Sequence, residues 1–191
     1  MTDSKPSRGR SQLLIIAAVF LGPLLVAAWL YFKGDIVQPQ SRTNHGALLE
    51  PIVNLDDALP ASSIRDLHAE QWLLLFEEQG ACAAPCRDGL FTTRQLRLML
   101  GKEMDRVGRI FLHGETAPDT VFLADEHEGL IALEDKALSD LLNEKKPAAL
   151  KTGGYYLIDP YGNLVMYFPP DLAPREIISD LKRLLKLSRI G

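Results

Sequence analysis

Twenty consecutive residues near the N-terminus, Leu13 to Phe32, carry no charge and no strongly polar side chain: LLIIAAVFLGPLLVAAWLYF. A helix rises about 1.5 Å per residue, so the run covers about 30 Å, the thickness of a bilayer's hydrocarbon core. No other segment constrains the chain as strongly. Trp29 and Tyr31 lie near its far end, where aromatic rings favour the membrane interface. Gly22-Pro23 sits mid-run, a pair that a membrane helix tolerates. A secretory signal has a shorter apolar region of about 7–15 residues and ends in a small-residue cleavage site. This run is longer and no A-x-A follows it, which predicts an uncleaved transmembrane helix. The only cysteines are Cys82 and Cys86, so none stands beside the span to carry lipid.

Lys5, Arg8 and Arg10 precede the run, whereas Lys33 and Arg42 are the basic residues that follow it. Basic residues concentrate on the cytoplasmic side. The expected layout is a cytoplasmic tail over 1–12, a membrane span over 13–32 and everything else outside. In a bacterium that means a single-pass protein of the inner (plasma) membrane with a periplasmic C-terminal part. The formal charge of the whole chain is −4; beyond the tail, 18 basic residues face 24 acidic ones. This balance argues against a nucleic-acid partner, which calls for a basic footprint.

Residues 33–45, KGDIVQPQSRTNH, are polar, contain Gly and Pro and show no apolar period, so they read as a linker. Residues 46–191 are long enough to bury one core without disulfides. Trp72–Phe76 (WLLLF) is a continuous apolar run that fits a strand buried on both faces. A helix follows, with Pro85 in its first turn and Leu96, Met99, Leu100 and Val107 at approximately helical spacing, reaching about Met104. Arg109–His113 reads as a second buried strand, Val121–Leu123 as extended, and Leu130–Leu142 as helical. Tyr155–Ile158 and Leu164–Phe168 flank the turn residues Asp159-Pro160-Tyr161-Gly162-Asn163 and predict an antiparallel hairpin. Pro174 opens a last helix whose inward face is Ile177, Ile178, Leu181, Leu184 and Leu185. This order predicts an α/β, thioredoxin-like mixed sheet flanked by helices, preceded by one N-terminal transmembrane helix.

Cys82 and Cys86 stand four apart, after a buried strand and at the start of a helix. The positive end of a helix stabilises a thiolate. In an oxidising compartment such a pair can form a disulfide, cycle through exchange, or hold a soft metal. A four-residue loop is too short for a staple to add much stability, which favours a redox dithiol over a structural bridge. His113 ends a strand expected beside the one leading to the cysteines. Active-site groups gather at such strand ends, which makes it a candidate metal donor, set against the plainer reading of a surface or hydrogen-bonded histidine. His127 lies among acids in DEHE and reads as a solvated loop residue; His45 and His68 have no identifiable partner. Arg87 and Asp88 follow the second cysteine and read as first-turn residues, although a cation there could favour a thiolate. Trp72 and Phe76 read as core, and Lys145-Lys146 as a solvated turn. No G-x-S-x-G, H-E-x-x-H, Walker or dinucleotide-binding motif is present.

The anchor, linker, WLLLF strand, C-x3-C motif Cys82-Ala83-Ala84-Pro85-Cys86 and YYLIDPYGNLV ending resemble the Sco/SenC group. These are membrane-tethered thioredoxin-like proteins that help build the copper centre of cytochrome c oxidase. The resemblance implies Cu(I) as ligand, Cys82 and Cys86 as thiolate donors or as the reducing dithiol, and an oxidase subunit or another exported protein as partner. The chain departs from that pattern in two places. Arg87, not proline, follows Cys86, and Leu150–Gly154 contains no histidine where the group has its third ligand. It departs from thioredoxin-like oxidoreductases in its C-x3-C spacing and in placing Pro147 eight residues before Tyr155. Three functions follow as expectations: a copper or thiol assembly factor, a periplasmic thiol–disulfide oxidoreductase, and a non-catalytic binding module.

Overall fold

The computed structural model describes residues 8–32, 44–68, 71–146 and 153–188. The chain divides into two compact units, Met1–Thr43 and Asn44–Gly191. In the first, helix α1 spans Arg8–Phe32 and keeps Pro23 inside it. Its segment Ser11–Trp29 is long and apolar enough to cross a membrane. Leu13, Phe20 and Leu25 are each about 70% exposed in the absence of lipid.

The second unit is a six-stranded mixed sheet in the order β1-β6-β5-β2-β3-β4. The strands are β1 (Ala47–Asn54), β2 (Trp72–Glu78), β3 (Val107–His113), β4 (Leu130–Glu134), β5 (Gly154–Ile158) and β6 (Asn163–Phe168). β2, β3 and β4 run parallel, and β5, β6 and β1 complete the sheet antiparallel. The helices are α2 (Leu55–Ala58), α3 (Ile64–Leu67), α4 (Ala84–Met99), α5 (Thr120–Glu126), α6 (Lys136–Lys145) and α7 (Pro174–Leu187).

The WLLLF run is apolar on both sides because β2 is central, and its side chains alternate between two cores. Trp72, Leu74 and Phe76 join Leu90 and Leu96 of α4 and Ile177 and Leu181 of α7 on one face. Leu73 and Leu75 join Leu138 and Leu142 of α6, with Leu55 and Ile64, on the other. Asp180 of α7, 3% exposed, ties the domain's entry to this frame by accepting from the backbone N–H of His45 (2.8 Å) and Gly46 (2.9 Å).

Three sequence expectations need correction. Val121–Leu123 is helical, within α5, because the Asp119 carboxylate accepts from the Phe122 N–H at 3.0 Å and caps a helix there. Leu130–Leu142 is not one helix but β4 followed by α6, separated by Asp135, whose side chain caps Leu138 at 2.9 Å. β4 escaped its period because it is a short edge strand with Ile131 and Ala132 exposed. The helix after the cysteines ends at Met99, which is 43% exposed, and a 3-10 helix over Gly101–Arg106 follows. β1, with Pro51 and an interrupted register against β6, was not expected as a strand.

Candidate functional site

The loop Gln79–Ala83 leaves the C-terminal end of β2 and leads into α4. Pro85 occupies the first turn of α4, which carries no side-chain cap and no acidic residue. No carboxylate within that turn offsets the positive end of the helix. Cys82 and Cys86 are joined as a disulfide, with Cα atoms 5.0 Å apart. The two sulfurs differ in setting. Cys86 is 2% exposed and packed into the core with Phe76 and Leu90, whereas Cys82 is partly exposed.

Gly89 lets α4 approach so closely. A Cβ there would come within 2.6 Å of Phe76 Cε2. The Phe76 ring is itself hemmed in by Phe111, at 6.1 Å between centroids, and Tyr155, at 5.3 Å.

Two cavities flank the start of α4. One, of about 180 Å³, is lined by Cys82, Arg87, Pro118, Asp119, Phe122 and Leu123, among others. Within it the Arg87 guanidinium lies 4.5 Å from the centre of the Phe122 ring and 3.9 Å from Asp119 Oδ2. Arg87 is thus a stacked wall residue beside Cys82, more than the first-turn residue that sequence suggested. The other cavity, about 400 Å³, is bounded by Glu78, Pro85, Asp88, Thr92, Gly153 and Tyr155, among others. Burial raises the Tyr155 phenol above its ordinary value, so it stays neutral at any physiological pH.

His113 ends β3, level with Glu78 of β2 and Glu134 of β4. Its Nδ1–H donates to the Gly114 carbonyl at 2.7 Å, and its ring lies 5.7 Å from that of Phe111. It lines a cavity of about 550 Å³ with Gln79, Glu134, Ser139 and Asn143, which adjoins the Cys82 cavity at Thr116. Among the described residues, no group of three or more His, Cys, Asp or Glu is arranged to hold a metal ion. Residues 147–152, which include Pro147 and Lys151, lie outside the described residues.

Sequence reasoning missed several buried polar groups. Glu77, 2% exposed, accepts from Ser139 Oγ at 2.6 Å, Asn143 at 3.2 Å and Gln79 at 3.3 Å. This pins the first residue of the cysteine loop to α6. Tyr156 and Tyr167 stand on the same face, and burial pushes the Tyr167 phenol up to about 12. His127 is not a solvated loop residue. It is 3% exposed and meets Phe122 edge-on at 5.0 Å. His68 has a partner after all, Asp56 Oδ1 at 2.8 Å, and His45 lies 3.5 Å from Glu176. In each case the partner is remote in sequence or turned inward by a short cap, and no local pattern announces it.

A mixed sheet with a cysteine pair at the start of the helix after its central strand, preceded by a helix of membrane-spanning length, defines a class: anchored thioredoxin-like proteins. Family models make the assignment specific. Residues 72–188 match the transmembrane-like, thioredoxin-like C-terminal domain, and residues 4–34 match the transmembrane-like N-terminal domain. The chain belongs to this transmembrane-like, thioredoxin-like family.

Similar solved structures include yeast Sco1, at 15% identity and a TM-score of 0.53, covering 65% of this chain and 85% of that one. Yeast Sco1 with copper bound matches at 14% identity and a TM-score of 0.52, covering 65% and 81%. Arabidopsis thaliana ScoI with copper bound matches at 14% and 0.50, covering 65% and 89%. At these identities the likeness is one of fold. No curated protein matched the chain.

Proposed function

We propose that this protein is a membrane-tethered thiol–disulfide exchange protein whose dithiol, Cys82 and Cys86, acts on an exported or membrane protein. The observation that carries the reading is the pair itself: two cysteines at bonding distance, one partly exposed and one buried, at an uncapped helix N-terminus. In the reducing direction the Cys82 thiolate attacks a sulfur of the partner's disulfide. A mixed disulfide forms and one partner thiolate leaves. Cys86 then gives up its proton and attacks Cys82 Sγ, closing the Cys82–Cys86 disulfide and releasing the second partner thiolate. Two electrons pass to the partner, and the reverse sequence oxidises it. The tail basic residues Lys5, Arg8 and Arg10 support a cytoplasmic N-terminus and a periplasmic domain in a bacterial plasma membrane.

A second reading is a Sco-like assembly role in which the same dithiol carries Cu(I) to the cytochrome c oxidase copper site, or reduces that site. It is supported by the fold shared with copper-bound Sco proteins and by the softness of two thiolates. The donor set fits copper as a transferred cargo better than as a resident ion. Among the described residues, no histidine or methionine lines the Cys82 cavity; His113 lines a neighbouring one, with Thr116 common to both.

A trapping experiment tests the exchange chemistry. In a Cys86→Ser variant the mixed disulfide has no resolving thiol and should accumulate as a reductant-sensitive adduct through Cys82. The Cys82→Ser/Cys86→Ser double variant should give none. An adduct that persists in the double variant, or that never forms with Cys86→Ser, would leave the binding-module reading in its place.

A further inference from the structure

Helix α5, through Phe122 and Leu123, and its capping residue Asp119 form one wall of the Cys82 cavity, yet none of the helix's seven residues is fully buried. Val121 is 68% exposed. The backbone bonds that leave its ends are local: Leu123 N–H to Asp119, His127 N–H to Leu123 and Leu130 N–H to His127. Phe122 and Leu123 pack half-buried against the core, and three arginines add polar ties to the rest of the domain. Arg87 stacks on Phe122. Arg94 of α4 donates to the Glu126 carbonyl at 3.0 Å. Arg109 of β3 donates to the Glu128 carbonyl at 2.6 Å and reaches that of His127 at 3.4 Å. The helix is thus a short element with no fully buried residue, held by two half-buried apolar side chains and a few polar contacts, the kind that opens locally.

His127 sits under these contacts. Its ring is buried against Phe122, and Nδ1 has no hydrogen-bond partner. We propose that α5 is an acid-released flap beside Cys82, held shut while His127 is neutral and loosened when it takes a proton. The charged groups around the ring set the direction. Arg109 from β3 and Arg94 from α4 repel an imidazolium, and only Glu126 favours it; Asp125, Glu126 and Glu128 are all exposed. Burial, then Arg109 and Arg94, hold the His127 ring below its ordinary titration range. The unfolded or opened segment therefore binds the proton more readily than the closed one. Closure is fully favoured above about pH 6.5 and is lost progressively as pH falls below that value, down to the lowered folded value. The consequence at Cys82, wider access for a partner in an acidic compartment, rests on the thiol-exchange reading; the flap itself does not.

Hydrogen exchange of the full chain in detergent tests the flap. After correction for intrinsic chemistry, protection of residues 119–128 should fall at least about threefold between about pH 7 and about pH 5. In His127→Phe, and separately in His127→Gln, the fall should be less than about twofold. Protection of β2 should not change. An equal fall in both variants, no fall in the wild type, or parallel loss in β2 would overturn the proposal. Glutathione-dependent disulfide formation, read in the same samples, reports on the exchange reading separately. A flap that opens on a chain whose cysteines do not cycle removes only that reading.

Discussion

At Cys82 and Cys86 one bond joins two environments, and the asymmetry assigns roles. On the proposed exchange chemistry, the partly exposed Cys82 is the sulfur a partner reaches and Cys86, 2% exposed, is the one that resolves. Two thiolates at a helix N-terminus hold Cu(I) because the metal is soft and the site electropositive, while Cu(II) prefers harder, more numerous donors. The reduced full chain should therefore bind Cu(I) with one equivalent per dithiol and retain no Cu(II). Cys82→Ala or Cys86→Ala should abolish binding, and His113→Ala should leave it unchanged. Copper quantified after anaerobic desalting checks this. Metal retained by a double cysteine variant, or lost with His113→Ala, would contradict it.

At the scale of elements, α4 owes its place to Gly89. Alanine in a helix interior is worth about 1 kcal/mol over glycine. Here the added methyl meets Phe76, which Phe111 and Tyr155 hold from the other side. Overpacking of this kind costs about 1–3 kcal/mol. Gly89→Ala should lower Tm and slow closure of the Cys82–Cys86 disulfide, since α4 carries Cys86. A Tm equal to or above that of the wild type would show that the helix has room. The elements themselves were unevenly legible in sequence. β2, β3, the β5–β6 hairpin and α7 announced themselves because both faces, or one full face, are buried. β1 and β4 are edges, half wet, and their apolar residues carry no period. α5 and the start of α6 depend on Asp119 and Asp135 accepting from amides three residues on, a signal present in the sequence but weak beside the apolar pattern. Of the site, the dithiol and its position at the start of a helix after a buried strand were readable. The Arg87–Phe122 stack and the burial of His127 were not, because they join α4 and β3 to α5 across more than 15 residues of chain.

For the whole molecule, an apolar helix long enough to cross a membrane and one thioredoxin-like domain with a cysteine pair are the two units of the chain. The domain needs no bridge for stability, since a two-faced core spans all of β2 and both sides of the sheet are covered. A disulfide closing so short a loop adds little chain entropy. That leaves its chemistry as the reason for two cysteines, and the central claim is that the bond opens and closes. The most direct measurement is a redox titration of the full chain in detergent against glutathione buffers, with the Cys82–Cys86 state read by alkylation and mass spectrometry. The account predicts a single reversible two-electron transition, with fold and Tm little changed between the two states. A bond that stays closed under every glutathione ratio, or a domain that unfolds when it is reduced, would contradict it.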